Sequence, residues 1–262
     1  MRVIRVRYRD KTFYGSLFGD EVQCLNRSLG LTSPLPLSEL AVLPPVAPTK
    51  IVCAAVNYKA HAEEVGMAVP DEPVIFFKPP SAIIGSGQRI ILPPQSARVD
   101  FEGELAVIIG KTCRDVAPEN AGEHIFGYCC ANDVTARDLQ TKDKLFGRAK
   151  GFDTFAPVGP WIETQVEDVR ALSLVTSVNG QVRQRGHTAD MIFGPAELIG
   201  YVSRIMTLNP GDVIMTGTPP GIGPIKPGDE VRVDISQVGI LINPVAAAAS
   251  GAVEEANGAP IQ

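Results

Sequence analysis

Asp100, Glu102 and Glu104 stand at every second position of the stretch VDFEGELAVIIG, residues 99–110. Successive side chains of a strand point to opposite faces, so a strand here sets all three carboxylates on one side. The other side carries Phe101, Leu105, Val107 and Ile109, with Gly103 among them. Carboxylates about 7 Å apart along a strand repel wherever water is excluded. A solvent-facing strand is one explanation. A bound cation is the other, because buried carboxylates need a positive partner. Ala106 and Ile108 continue the acidic face as an apolar layer, which favours the cation. Oxygen-only donors select a hard ion, magnesium or manganese rather than zinc.

Further residues could complete such a site. Asp133 in CCANDVTARDLQ is a candidate third ligand, with Asp138 its rival. An aspartate at 133 equally suits the N-cap of a helix over VTARDLQ. Lys150 is flanked by Ala149 and Gly151, which let a ligand come close, or it is an ordinary surface lysine. Lys78 ends an apolar run before two prolines and meets either an anionic substrate or solvent. Of the three histidines, His124 and His187 read as loop or surface residues. His61 differs because Glu64 follows at i+3, which on a helix sets a carboxylate beside the imidazole. Such a pair is how a general base is prepared. The stretch MTGTPPGIGPIKPGD lacks the order of a phosphate-binding loop. It reads as a rigid turn presenting the Thr216 and Thr218 hydroxyls and backbone amides, or as a plain hairpin connection.

These residues must be carried by a β-rich scaffold. Short β-branched runs alternate with turn signals from IVCAAV onward, and Asn179-Gly180 between two alternating runs predicts a hairpin. Helices are expected over YKAHAEEVGM, ending near Gly66, over APENAGEHIF, and over GPAELIGYVSRIMTL before NPGD. The N-terminus alternates basic and apolar residues, lacks the apolar block of a signal peptide, and reads as an edge strand. Two further short strands follow it. The proline-rich segment SPLPLSELAVLPPVAPTK forbids a long helix and reads as a linker. The expected organisation is a small N-terminal β unit over residues 1–48, a main domain over 49–246, and a small, polar, disordered tail over 247–262. The fold class is α+β, β-rich, of sandwich or rolled-sheet type.

Bulk composition narrows the partners. The chain has 262 residues, 45% of them hydrophobic and 20% charged, enough to fill a core. A net charge of −5 and no basic block argue against nucleic acid. No apolar run is long enough to span a membrane. The five cysteines form no CxxC pair, which suits reduced thiols in a cytoplasm, and adjacent Cys129 and Cys130 point to opposite faces of a strand.

Seven stretches in order, NYKAHAEEVG, FFKPPSA, DFEGELAVIIG, NDVTARDLQ, AKGFDTFAPVGPW, VNGQVRQRGHTADMIF and MTLNPGDVIMTGTPPGIGPIKPGD, closely resemble the fumarylacetoacetate hydrolase superfamily. The resemblance covers about residues 50 to 244. It implies a mixed β-sandwich roll, a homodimer, and one magnesium or manganese ion on Glu102, Glu104 and Asp133. It further implies a catalytic His61/Glu64 pair on a segment that closes over the substrate, an active-site Lys150, and Lys78 and Thr218 near the substrate. Asp100 is no ligand in that pattern. The implied activity is on a small 2-oxo acid, with hydrolysis of an acylpyruvate C–C bond foremost. Oxaloacetate-type decarboxylation and 2-hydroxyhepta-2,4-diene-1,7-dioate isomerisation stand close behind, and a catalytically silent metal-binding module is the alternative of another class.

Overall fold

A computed structural model describes residues 1–248. Strand Gly103–Ile109 lies at its centre and is buried along its whole length. It pairs antiparallel with Ile125–Asn132 on one side and with Val213–Met215 on the other. This ladder belongs to a mixed sheet that runs from Leu35–Pro36 at one end to Val74–Lys78 at the other. Its one parallel pair along this path joins Val213–Met215 to Ile51–Ala55. A second sheet of five strands runs from Gln181–His187 through Ser173–Val178, Glu230–Ile235 and Gly239–Ala247 to Ile90–Leu92. The β-rich α+β architecture is therefore as the sequence predicts.

Alternation along Gly103–Ile109 explains how the layers stack. Leu105 packs with Cys130, Leu174, Val233, Ile235 and Leu241 between the two sheets. Val107 and Ile109 meet Leu198, Ile199 and Val202 of helix Pro195–Ile205. Ala106 and Ile108 turn the other way, into a core with Cys53, Phe76 and Met215. The acidic residues thus lead out of an apolar layer. Cys129 and Cys130 do fall into different cores, one on each face.

The local signals act as their chemistry requires. Helix Pro195–Ile205 starts with proline in its first turn, and Glu197 accepts from the Gly194 N–H at 2.7 Å. The hairpin of Ser173–Val178 and Gln181–His187 turns at Asn179 and Gly180, whose φ angles are 51° and 76°. Helix Lys59–Val65 ends at Gly66.

Three expectations are corrected. Pro118–His124 is a 3-10 helix rather than an α-helix. The first strand, Arg2–Tyr8, is no edge strand: it pairs with Lys11–Phe18, Ala41–Leu43 and Ala156–Glu163. Asp133 caps no helix, because the helix starts at Arg137 after the short strand Thr135–Ala136. Ala247 closes strand Gly239–Ala247, and residues 249–262 of the expected tail lie outside the described residues. Among the described residues no helix is long and apolar enough to cross a membrane.

Candidate active site

The acidic strand changes sheets at Glu102. Val99–Phe101 pairs with Thr135–Ala136 and Gly223–Ile225, whereas Gly103–Ile109 belongs to the large sheet. Glu102 is pinned at this hand-over: its N–H donates to Asn132 Oδ1 at 2.9 Å, and its carbonyl accepts from the Asp133 N–H at 2.8 Å. The next residue is glycine, and a Cβ on Gly103 would stand 2.0 Å from Thr176 Oγ1.

Glu102, Glu104 and Asp133 converge, each offering an oxygen within 4.8 Å of the others, and all three are buried. The strand face predicted to carry like charge does so inside the protein. Asp138 is turned away and bonds Ser96 and the Ala97 N–H, so it is not the third acid. Both lysines are buried too, which rules out the surface reading for each. Lys150 Nζ donates to Glu102 Oε2 at 2.8 Å and to Asp133 Oδ2 at 2.5 Å. Lys78, 1% exposed, donates to Asp133 Oδ1 at 2.5 Å and to the Val134 carbonyl at 3.0 Å. It stands behind Asp133, which lines the cavity, and does not line the cavity itself.

Charge is shared unevenly among the three acids. Against the effect of burial, Lys150 and Arg137 hold Glu102 below the usual carboxylate range. Lys150 is held charged despite its burial, because Asp133 and Glu102 raise its pKa. Among the described residues Glu104 has no cationic partner at hydrogen-bond distance and takes one bond, from the Gly217 N–H at 2.7 Å. Burial, then the Asp133 and Glu102 charges, push it well above the carboxylate range. Three buried oxygen donors, one of them short of a cation, fit a hard divalent ion.

A cavity of about 540 Å³ opens over the acids, a size that suits a small ligand. His61, Glu64, Lys150 and Thr218 line it together with Asp100, Glu102, Glu104 and Asp133. His61 Nδ1 lies 2.9 Å from Glu64 Oε2, as the i+3 spacing requires. The other oxygen of Glu64 accepts from the Gly221 N–H at 2.8 Å, which latches the helix Lys59–Val65 to the turn after Thr218. Thr218 Oγ1 donates to the Gly103 carbonyl at 2.8 Å.

The sequence reading missed Arg137 and Gln140, which also line the cavity. Arg137 bonds Asp100 through Nε at 3.0 Å, Gln140 through Nη1 at 2.6 Å, and Glu102 through Nη2. A signal existed: buried Asp100 and Glu102 require cations, and Arg137 lies only four residues beyond Asp133. Asp100 answers to Arg98 and Arg137 and stands at the wall of the cavity.

The chain matches known proteins over most of its length. Residues 50–246 match the family described as fumarylacetoacetate (FAA) hydrolase C-terminal. The human protein named oxaloacetate tautomerase FAHD2A, mitochondrial, is 44% identical over 223 residues, which are 80% of this chain and 71% of the human one. The crystal structure of a 5-carboxymethyl-2-hydroxymuconate delta-isomerase from Mycobacterium smegmatis superposes with a TM-score of 0.85 at 43% identity, covering 95% of this chain and all of that one. A maleylpyruvate hydrolase from Sphingobium sp. SYK-6, solved with manganese(II) and pyruvate, gives 0.80 at 33% identity, with 95% and 100% covered. With its acidic triad, its buried lysine and a family match that spans most of its length, the chain belongs to the fumarylacetoacetate hydrolase family.

Proposed function

We propose that the chain is a magnesium- or manganese-dependent enzyme acting on a small 2-oxo acid. Its reaction in this reading is a proton transfer beside the 2-oxo group, a tautomerisation or isomerisation. One observation carries the proposal: a single cavity holds an imidazole oriented by a carboxylate, three buried acids and a charged lysine.

Glu102, Glu104 and Asp133 would hold a divalent cation, which would supply Lewis-acid stabilisation of negative charge on the substrate. The remaining work belongs to side chains. Lys150 contributes a fixed positive charge where an enolate develops. His61 takes the proton from the carbon beside the 2-oxo group and returns it elsewhere, while Glu64 keeps the ring in one orientation. Arg137 presents positive charge on the cavity wall, where a carboxylate of the substrate meets it. Lys78 fixes Asp133 from the side. Proton transfer is placed first because the relatives named tautomerase and isomerase stand at 44% and 43% identity, the hydrolase at 33%.

Hydrolysis of an acylpyruvate is the second reading, favoured by the likeness to a maleylpyruvate hydrolase. It uses the same residues, with His61 taking its proton from water. We propose a homodimer as the assembly, to be checked by sedimentation.

The test is a panel of oxaloacetate, 2-hydroxyhepta-2,4-diene-1,7-dioate, maleylpyruvate and acetylpyruvate, each with manganese and with chelator. Expected is a manganese-dependent change of the enol ultraviolet band with no new fragments. Release of pyruvate with a second acid replaces this reading by hydrolysis, and carbon dioxide from oxaloacetate alone replaces it by decarboxylation. No turnover of any acid by manganese-loaded protein leaves only the metal-binding module.

A further inference from the structure

Strand Gln181–His187 has one buried side chain, and it is an amide. Gln184 is 1% exposed, on a strand whose other residues are exposed or partly so. A buried primary amide is costly unless its donors and acceptor are matched. Here they are matched by the active-site backbone. Gln184 Oε1 accepts from the Gly103 N–H at 2.9 Å. Its Nε2 donates to Thr218 Oγ1 at 2.8 Å and to the Pro219 carbonyl at 2.7 Å. Thr218 Oγ1 in turn donates to the Gly103 carbonyl at 2.8 Å. Three of these bonds close a ring through Gly103, the residue between Glu102 and Glu104, and the fourth ties the amide to Pro219.

The same ring fixes the turn over residues 217–221. At its start the Gly217 N–H holds Glu104 Oε2, and at its end the Gly221 N–H holds Glu64 Oε1. The turn lies tight against the strand of Gln184: a Cβ on Gly221, whose φ is +103°, would stand 2.2 Å from the Arg183 carbonyl. Metal ligands and base are thus tied to one turn, and one amide from the second sheet clamps that turn to the acidic strand.

We propose that Gln184 is a positioning residue that couples the spacing of Glu102 and Glu104 to the orientation of the His61/Glu64 pair. It is absent from the cavity lining and acts only through Gly103 and the turn. This rests on the proposed function in that the cavity binds a divalent ion and uses His61 as its base. Groups that orient metal ligands carry effects of about 10- to 100-fold on affinity or activity when lost.

The experiment replaces Gln184 by Met, which keeps length and bulk and removes all three of its bonds. Manganese affinity is measured by electron paramagnetic resonance without substrate, alongside melting temperature and kcat with the best acid of the panel. Expected is manganese binding weaker by about 10-fold and kcat lower by about 100-fold. In a Glu64→Ala background, where the latch to Gly221 is already gone, the same change should cost kcat only about as much as it costs manganese affinity. A folded Gln184→Met protein with wild-type affinity and kcat overturns the inference, as does a kcat loss of the same size in both backgrounds. If Gln184→Met does not fold, Thr218→Val breaks the ring at its other corner and must weaken manganese binding without substrate. Unchanged binding there overturns the inference too. A wild type that binds manganese, loses it in Gln184→Met and turns over no acid refutes the functional reading while supporting the placement of the ligands by Gln184.

Discussion

Glu104 and Asp212 are both buried acids beside the same strand system, and their surroundings are opposite. Asp212 accepts five hydrogen bonds: from the Thr49 N–H and hydroxyl, the Lys50 N–H and ammonium, and the Asn209 N–H. Against the effect of burial, these donors hold it below the usual carboxylate range. Glu104 takes one bond from Gly217 and faces two other carboxylates, which with burial push it well above that range. Burial alone therefore does not tell a structural acid from a functional one. The count of donors does: Asp212 is complete within the protein, and Glu104 is complete only with a cation from outside.

The sharpest way to break this comparison is to neutralise each acid. Glu104→Gln is expected to abolish manganese binding and lower kcat/KM by about 1000-fold, on the order of 4 kcal/mol, while the protein without metal melts no lower than wild type. A titration and a melt on the same sample decide it; a lower melting temperature would make Glu104 a structural pin. Asp212→Ala should do the reverse. It strands Lys50 and several backbone donors, costs about 3 kcal/mol in urea unfolding, and leaves kcat of the folded protein unchanged. Removing the metal comes next. Manganese at 100 times its Kd should stabilise wild type by about 2.7 kcal/mol over chelated protein, and should not stabilise Glu104→Gln.

pH separates the two acids by sign. The folded pKa of Asp212 is depressed, so its contribution is complete above its ordinary value near 3.8 and is lost as pH falls toward the folded value. For Glu104 the folded pKa is raised, so metal-free protein loses stability as pH rises above the ordinary 4.5, until the group ionises in the fold. Urea unfolding in chelator should show wild type losing ground to Asp212→Asn at acid pH and to Glu104→Gln toward neutral pH. Parallel curves would mean that the two acids do not differ. The smallest expected effect is Thr49→Val, which removes one of five donors and should cost about 1 kcal/mol with no change in manganese affinity.

Some of this site was legible in the residues. Alternation put Asp100, Glu102 and Glu104 on one wall, and the i+3 spacing put Glu64 against His61, because both depend only on the period of the local element. Asn179-Gly180 and the apolar spacing of Pro195–Ile205 worked for the same reason. Asp133 was ambiguous because an aspartate before VTARDLQ suits a helix cap; pairing of Thr135–Ala136 with Val99–Phe101 overrode that local preference. Lys78 and Lys150 look like surface lysines until the fold buries them against Asp133. Nothing local to QVRQRG marks Gln184, whose partners lie in two other segments.

The sequence by itself determined the β-rich class, the acidic face, the dyad and the family pattern, since each is written in short-range spacing or in an ordered set of motifs. Tertiary structure decided which acid is third, which cations stand beside it, and how Gln184 ties the turn to the acidic strand. It also decided that the neighbours of Glu104 and Asp212, alike as buried acids, push their pKa values in opposite directions. The reason is that pairing and burial depend on neighbours in space, and sheet formation brings those neighbours from distant parts of the chain.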